Sequence, residues 1–383
     1  MIYPKNERKH RMKIQVRQSE IAKASKMIQG LISKETLSDF SYVKLEGCGV
    51  NITLKGGDCD IQLTCRFGGD TDENGIVLVP GRFLNSFVGV SSGIVDLQTN
   101  GTKLKMKSNG NTFNMGIAPD KGYFDMLGVD NEKSVRFVIE GYALKEMLRK
   151  VEFARSKEAT RATLKGVNIC ATRDLLEMTA TDGKRLAHVE HVIDLMGYVL
   201  DDASDDKIWS CTISDKTVDA LMRFLDEEAV TVEFDERAIR ITHDKWSLVA
   251  TLLAGQYPAW QKVVPSEMPH TAEIDRVKLL EALEAASLSC NPNIDGKIVT
   301  IHISDKELCV SSRGDITDAK VVFSQCKVSD GASAKFIYNS QLLTDALKCL
   351  DCDKINFGFG DNMPCKIICN IPWCFVAMPI NKE

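Results

Sequence analysis

The sequence predicts an α+β fold made of three repeated units, because helical and strand-like patterns alternate three times along its 383 residues. Each unit contains two amphipathic segments, in which apolar residues recur at the three- and four-residue spacing of one helix face. The stretches between these segments alternate apolar and polar residues and are bounded by Gly and Asp, which is typical of antiparallel hairpins. A repeat on this scale indicates domain organisation more strongly than any single short motif.

The first helix of each unit is predicted from its apolar stripe. The three stripes are Ile21, Ala24, Ile28 and Ile32; Leu144, Met147, Leu148 and Val151; and Leu279, Ala282, Leu283 and Ala286. The second helix is predicted from its start signal. Pro80 suits the first helical turn, and Ser214-Asp215 and Asn339-Ser340 are typical capping pairs.

Strand-like runs fill the rest of each unit, and polar, turn-rich segments separate the units. The alternating runs cover 50–65, 94–108, 167–180, 229–243, 298–312 and 355–369. Polar segments at 132–136 and 266–272 favour the boundaries. We therefore predict a disordered leader at 1–11 and domains at 12–132, 133–268 and 269–383.

Composition restricts the class of protein. No apolar run approaches the roughly 18 residues of a membrane span, and the charged N-terminal stretch lacks the apolar centre of a signal peptide. These features predict a cytoplasmic protein, in which the 13 cysteines stay reduced. The net charge of −5 argues against a uniformly basic nucleic-acid coat, although a local basic face remains compatible with it.

One cysteine pattern is close to a structural zinc site. Cys349, Cys352, Cys365 and Cys369 give C-x2-C-x12-C-x3-C. The first two end a helical run and the last two lie in strand-like sequence, so ordinary buried thiols are the favoured interpretation. We expect no cofactor.

Two common catalytic motifs are missing from the sequence. It has no phosphate-binding G-x-x-x-x-G-K-[ST] and no H-E-x-x-H. His188 and His191 lie three apart in a strand, which places them on opposite faces, and we expect them to be surface or half-buried polar residues. A metal-dependent phosphotransferase using Asp182 is the alternative enzyme hypothesis. A non-enzyme is predicted.

Three motifs resemble one family. The stretch 179-TATDGKRLA-187 resembles T-x-T-D-G-x-R-L-A of bacterial sliding clamps, the beta subunit of the replicative DNA polymerase holoenzyme. The stretch 255-GQYPAWQKVVP-265 and the ending 375-FVAMPINKE-383 are similar to two further motifs of this family, in the same order and spacing. The resemblance extends from Met12 to the C-terminus.

The resemblance implies a ring-shaped processivity factor, in which two three-domain protomers join head to tail as a homodimer. Six domains would place twelve helices inside and antiparallel sheets outside. Twelve helices at roughly 9 Å intervals form a ring about 34 Å across through their axes. Subtracting about one helix diameter, ~10 Å, leaves a hole slightly wider than a DNA duplex.

The resemblance also implies three sets of site residues. A peptide-binding pocket between the second and third domains would comprise Leu164, Thr181, Gly183, Lys184, Arg185, Leu186, Pro258, Lys262, Val263, Val376, Met378, Pro379 and Ile380. In it, Thr181, Gly183 and Leu186 would supply an apolar floor, and Lys184 and Arg185 a polar rim. The DNA-facing residues would be Lys34, Arg82, Arg161 and Lys216, and the dimer contacts Phe113 and Met115 against Leu288.

The implied partners are double-stranded DNA, the replicative polymerase, the clamp loader, and repair polymerases, ligase and mismatch-repair proteins. The sequence departs from the family at Ala162 and Thr163, where aromatic residues are common. It also departs at Ser287, a position that is often apolar, which predicts a weaker dimer interface. The sequence leaves open a paralogous or viral clamp serving another polymerase.

Overall fold

The computed structural model describes residues 11–33, 39–118, 122, 124, 127–130, 133–158, 161–193, 209–290, 297–304, 307–314, 317–323, 326–361 and 363–380. The chain divides into two compact units. The first holds the described residues up to Tyr142 and those from Asp219 to Leu252. The second holds the described residues from Ala143 to Val218 and from Leu253 onward.

Six α-helices lie within the described residues, and they fall where the apolar stripes and start signals predict them, although Ile32 of the first stripe lies beyond the end of α1. They are α1 (Gln18–Gln29), α2 (Gly81–Val90), α3 (Gly141–Val151), α4 (Asp215–Phe224), α5 (Arg276–Ser287) and α6 (Ser340–Lys348). Two predicted caps are confirmed: Ser214 Oγ accepts a hydrogen bond from Thr217 N at 3.2 Å, and the Asn339 side chain accepts one from Gln341 N at 3.0 Å. Each side chain satisfies a backbone N–H that the first helical turn leaves unpaired.

The predicted position of Pro80 in the first turn of α2 is wrong by one residue. Pro80 has extended backbone angles, φ −62° and ψ 112°, and pairs with Tyr42 as the last residue of a strand. Gly81 is the first helical residue. The fixed φ of proline suits both positions, so strand pairing decides between them.

The first unit contains two antiparallel sheets. Its strands are β1 (Lys13–Arg17), β2 (Tyr42–Cys48), β3 (Asn51–Gly57), β4 (Ile61–Gly68), β5 (Asp70–Glu73), β6 (Gly75–Pro80), β7 (Ile94–Asn100), β8 (Lys103–Ser108), β9 (Asn111–Gly116), β10 (Val135–Glu140), β15 (Ala229–Phe234), β16 (Ala238–Thr242) and β17 (Trp246–Thr251). The strand orders are β5-β1-β7-β8-β9 and β10-β15-β16-β17-β4-β3-β2-β6. Buried Ile21, Ala24 and Ile28 of α1 cover this unit's core, since α1 packs on α2, β3 and β4.

The second unit also contains two antiparallel sheets. Its strands are β11 (Val167–Ala171), β12 (Leu175–Thr181), β13 (Arg185–Val192), β14 (Trp209–Ile213), β18 (His270–Asp275), β19 (Ile298–Ile303), β20 (Leu308–Arg313), β21 (Asp318–Phe323), β22 (Cys326–Val328), β23 (Ala334–Asn339), β24 (Lys354–Phe359), β25 (Cys365–Ile368) and β26 (Trp373–Ala377). The orders are β14-β11-β12-β13-β26-β25-β24-β18-β22 and β21-β20-β19-β23. Helix α5 packs on α6 and on β20 and β21 through buried Leu279 and Leu283.

Both large sheets cross a predicted domain boundary. In the first unit β17 pairs with β4, with Trp246 opposite Cys65. In the second unit β13 pairs with β26, with Leu186 opposite Val376. These ladders join strands of neighbouring sequence repeats into continuous sheets. The division into domains at 12–132, 133–268 and 269–383 stays a prediction.

The four cysteines of the zinc-like pattern occupy different environments. Cys349 and Cys365 are buried, while Cys352 and Cys369 are half-buried. Burial raises the pKa of the Cys365 thiol to about 12, as expected for a thiol removed from water. Among the described residues, the clusters of three or more potential metal ligands involve other side chains. None of the helices described is both long enough and apolar enough to cross a membrane.

Candidate protein-docking groove

The turn between β12 and β13 is built by its own side chains. Asp182 Oδ1 accepts hydrogen bonds from Lys184 N at 2.9 Å and Arg185 N at 3.0 Å. Thr181 Oγ1 accepts from Gly183 N at 3.1 Å and donates to Arg185 O at 2.6 Å. The Thr and Asp of the TDGKRL motif therefore fix the turn that presents the following residues.

Gly183 has a φ of 87°, a conformation that side chains with a Cβ rarely adopt. We expect Gly183→Ala to destabilise the second unit by about 1–2 kcal/mol through this backbone strain, since an added Cβ meets no neighbouring atom. Denaturant unfolding measures the effect. Gly68→Ala is the matched control, because it also adds a Cβ in open space and lacks the positive φ. An equal change in the free energy of unfolding in Gly183→Ala and Gly68→Ala would contradict the strain argument.

Arg185 is buried, with 8% of its surface exposed. Its Nε donates to Asp182 Oδ2 at 3.1 Å, its Nη1 to Asp345 Oδ2 at 2.7 Å and its Nη2 to Phe153 O at 2.5 Å. The guanidinium carbon also lies 5.4 Å from the centre of the Phe153 ring. Arg185 lines the groove, and each of its three guanidinium nitrogens donates a hydrogen bond within the chain. The polar rim of Lys184 and Arg185 stays a prediction.

The floor of the groove is an apolar cluster that the β13–β26 ladder assembles. Leu186 and Val376 are paired across this ladder, and Trp260 packs with them. Tyr257 packs against the cluster, and its hydroxyl accepts a hydrogen bond from Thr181 N at 3.1 Å. Burial raises the pKa of Tyr257 well above its ordinary value, so the phenol stays a neutral donor and acceptor.

The groove has a volume of about 280 Å³. It is lined by Arg161, Leu164, Thr181, Gly183, Lys184, Arg185, Leu186, Pro258, Ala259, Trp260, Val263, Val376 and Met378. Val263 and Met378 are about half exposed, at 56% and 50%, although both are apolar. Exposed apolar side chains beside a buried aromatic floor are typical of a protein-docking surface.

Three residues predicted for the pocket do not line it. Lys262 is exposed in the short 3-10 helix Trp260–Val263. Ile380 N donates to Ile337 O at 2.8 Å, which holds Ile380 beside β23, and Pro379 precedes it. Met378 N instead donates to Lys184 O at 3.0 Å and keeps Met378 at the groove.

Sequence analysis missed two lining residues, Trp260 and Ala259. Both lie within the quoted GQYPAWQKVVP motif, and Trp260 is its largest apolar residue. A large apolar residue inside a family motif is the sequence feature that could have identified Trp260 as a lining residue. Arg161, predicted to face DNA, also lines this groove.

The other predicted DNA-facing residues lie on separate elements. Arg82 is exposed on α2, Lys216 is half-buried in the first turn of α4, and Lys34 lies outside the described residues. Several neighbouring basic residues are ion-paired. Arg149 Nη2 lies 2.7 Å from Glu146 Oε2 and 2.6 Å from Asp351 Oδ2. The side-chain hydrogen bond to Glu146 raises the pKa of Arg149 above its ordinary value.

The predicted dimer contacts are accessible within their own units. Phe113 on the edge strand β9 is 47% exposed, and its ring lies 5.1 Å from that of Phe87. Met115 is half-buried on the same strand, and Leu288 after α5 is 86% exposed. Ser287, by contrast, is buried and donates to Glu284 O at 2.8 Å.

The alternative enzyme hypothesis was a metal-dependent phosphotransferase using Asp182 and nearby carboxylates. Asp182 Oδ1 instead accepts two backbone N–H groups, and its Oδ2 accepts from Arg185. Both carboxylate oxygens therefore accept hydrogen bonds within the turn. This arrangement argues against a phosphotransferase centred on Asp182.

Two sequence models of one family match this chain. Residues 138–259 match the central domain of the DNA polymerase III beta subunit, and residues 261–371 match its C-terminal domain. The two matches together span more than half of the chain. The chain belongs to the bacterial sliding clamp family. Members of this family are DNA polymerase processivity factors, so a role in DNA replication beside a DNA polymerase follows from membership.

Curated relatives agree with this assignment. A beta sliding clamp of Chlamydia muridarum is 24% identical over 374 residues, covering 96% of this chain and 99% of the relative. A beta sliding clamp of Staphylococcus aureus is 25% identical over 358 residues, covering 90% of this chain and 91% of the relative.

Solved structures share the fold. The Bacillus subtilis DNA polymerase sliding clamp matches with a TM-score of 0.88 at 19% identity, covering 97% of this chain and all of the other. The Pseudomonas aeruginosa DNA polymerase III subunit beta matches with a TM-score of 0.87 at 21% identity, again over 97% of this chain. The predicted α+β fold of helices and antiparallel sheets is therefore confirmed.

Proposed function

We propose that two copies of this sliding clamp close head to tail around duplex DNA and hold a polymerase there through the groove. Each copy would contribute three domains, with helices lining the hole and sheets forming the outer wall. A closed ring cannot leave DNA sideways, so retention needs no tight contact. The groove at the β13–β26 ladder carries the proposal, because its apolar floor and exposed apolar edge suit a docking partner.

The chemistry of the groove defines what it binds. Trp260, Leu186 and Val376 provide an apolar floor, while exposed Val263 and Met378 offer further apolar contact at the edge. Lys184 is exposed in the turn and adds a positive charge. Short peptide segments with a few large apolar anchors and an acidic residue fit this arrangement.

Several proteins would use this groove in turn. The replicative polymerase and the clamp loader would dock there, followed by repair polymerases, ligase and mismatch-repair proteins. A shared groove makes these partners mutually exclusive on one protomer. The protein would carry out this exchange in the cytoplasm, where the chromosome of a bacterium lies.

Contact with DNA would be electrostatic and independent of sequence. Arg82 is exposed on α2, and Arg161 and Lys216 supply further positive charge in the second unit. Lys34 completes the proposed set. Long basic side chains meeting phosphates hold the duplex near the centre of the ring without reading bases, which leaves sliding unimpeded.

Ring closure would use Phe113 and Met115 of one copy and Leu288 of the other. Phe113 lies on an edge strand, whose free backbone groups suit pairing with a strand of a second copy. Leu288 exposes 86% of its surface, which an apolar interface would cover. Ser287 makes no apolar contribution to that interface, since its hydroxyl is bonded within α5.

Encirclement is tested by the topology of the DNA. The labelled protein is loaded with a clamp loader and ATP onto a nicked circular plasmid, and the same plasmid is then cut once. We expect the protein to stay on the circle through gel filtration and to leave the linear form by sliding off its ends. Its retention on the circle should survive salt that dissociates ordinary phosphate contacts.

Blocking both ends of the linear DNA with bound streptavidin is the control, and it should restore retention. A protein that binds circular, linear and blocked DNA equally would hold DNA by contact alone, which would overturn encirclement.

A further inference from the structure

The second unit carries a cluster of metal-ligand side chains on the sheet face that also bears the groove floor. His188 and Glu190 are two residues apart on β13, and Glu177 on β12 pairs directly with Glu190. Leu186 of the floor is two residues before His188. Because alternate residues of a strand share a face, these side chains lie on one surface. We call Glu177, His188 and Glu190 the Glu–His–Glu cluster.

The spacing of the cluster fits a metal ion. His188 Nε2 lies 3.1 Å from Glu190 Oε1 and 3.8 Å from Glu177 Oε1. One ligand atom from each of the three residues lies within 4.8 Å of the others. Two ligand atoms at about 2.1 Å from a tetrahedral ion are roughly 3.4 Å apart, so small side-chain shifts bring all three onto one ion.

A hydrogen bond and a ring contact fix the position of the His188 side chain. It is buried, with 5% of its surface exposed, and its Nδ1 lies 2.9 Å from Thr179 Oγ1. Its ring lies against Trp260, with the ring centres 4.3 Å apart. A hydrogen bond at one imidazole nitrogen fixes the tautomer and aims the other nitrogen at the metal, which is the usual arrangement around metal-bound histidine. The prediction that His188 is a surface or half-buried residue is therefore wrong.

The charges at the cluster favour a cation. Glu177 and Glu190 are directly opposite across the ladder, where like charges destabilise an antiparallel pair. Within the described part of the chain, the ion pairs of Glu177 and Glu190 are with His188, which lies between them.

Thiols flank the cluster on the same face. Cys374 on β26 pairs with His188, and Cys170 on β11 pairs with Glu177. Both thiols lie outside the group of side chains whose ligand atoms come within 4.8 Å of one another.

We propose that the Glu–His–Glu cluster binds a divalent transition-metal ion of the zinc type. His188 Nε2 and one oxygen each from Glu177 and Glu190 supply three ligands, and water completes the tetrahedron. An imidazole nitrogen among the donors selects such ions over magnesium and calcium, which prefer all-oxygen sites. The position beneath Trp260 places the ion beside the groove floor.

The direct test is crystallographic. Crystals of the full chain are treated with chelator, soaked in zinc chloride and measured on both sides of the zinc absorption edge. We expect an anomalous peak between His188 Nε2 and the two carboxylates. A well-ordered cluster without a peak, with His188 bridging the carboxylates as an imidazolium, would overturn the proposal, and this measurement requires no variant.

Solution titration with zinc provides the second test. Binding is compared between the wild type and Glu177→Gln/Glu190→Gln, so that the contribution of the other thiols cancels in the difference. We expect the variant to lose one zinc equivalent, and Thr179→Val to weaken that equivalent by about 10–100-fold through loss of the hydrogen bond to His188.

His302→Gln is the control for the titration. His302 lies on β19, in the other sheet of the same unit, and its Nε2 contacts Ser333 Oγ. The variant should bind zinc like the wild type. Unchanged zinc stoichiometry in Glu177→Gln/Glu190→Gln would place all bound zinc on thiols and reject the site.

Discussion

Arg185→Met is expected to destabilise the second unit by about 3 kcal/mol, the lower end of the range for breaking a buried ion pair. The substitution leaves Asp182 and Asp345, whose side chains are only 19% and 26% exposed, without their shared counter-charge. It also removes the donor to Phe153 O. Methionine retains most of the volume, so the loss reports charge and hydrogen bonding and not an empty cavity.

Denaturant unfolding followed by tryptophan fluorescence measures this effect. Lys354→Met is the matched control, since it breaks an ion pair of 2.6 Å with Glu273 in which both side chains are exposed. We expect the control to change stability little, because solvent screens exposed pairs. Adding Asp345→Asn to Arg185→Met should recover part of the loss, and the absence of any recovery would argue against the Arg185–Asp345 contact as the cause.

Trp260→Ala is expected to weaken peptide binding at the groove by about 2–4 kcal/mol, which corresponds to roughly 30- to 700-fold in Kd. Trp260 is buried in the floor with Leu186 and Val376, and large aromatic residues at the centre of an interface carry most of its binding free energy. Fluorescence polarisation of a labelled peptide with two or three large apolar side chains measures the change.

A second variant separates binding from folding. Val263→Asp places a charge at the edge of the groove, where the side chain is already 56% exposed, so the fold should tolerate it. It should weaken the peptide by at least 10-fold. Val277→Asp on α5, at a position 43% exposed and away from the groove lining, is the control and should bind normally. Equal peptide affinity in Val263→Asp and Val277→Asp would remove the groove as the docking site.

Local patterns predicted the regular elements well. The apolar stripe beginning at Ile21 became α1, and the capping signals at Ser214 and Asn339 stand at the starts of α4 and α6. The error at Pro80 arose because the fixed φ of proline suits both the end of a strand and the beginning of a helix. Pro80 ends a strand because it pairs with Tyr42. Tyr42 is 38 positions away in sequence, so a local pattern does not include it.

The groove was predicted in part. The TDGKRL turn and the residues Pro258, Val263, Val376 and Met378 were identified from motifs and line it. Lys262 and Ile380 were carried over with their motifs but lie outside the lining, since a motif includes neighbours that point elsewhere. Trp260 was overlooked because a strongly apolar residue in a loop is commonly interpreted as core, and only the ladder between β13 and β26 turns it into a floor.

The sequence by itself determined the three repeated sets of helices and hairpins, the turn chemistry of Thr181 and Asp182, and the resemblance to sliding clamps. These depend on spacing and on side chains that bond to nearby backbone, which a linear pattern records. Tertiary structure decided which distant residues meet. It buried Arg185 against Asp345, joined Leu186 to Val376, and placed His188 between two carboxylates, because strand register brings these residues together irrespective of their separation along the chain.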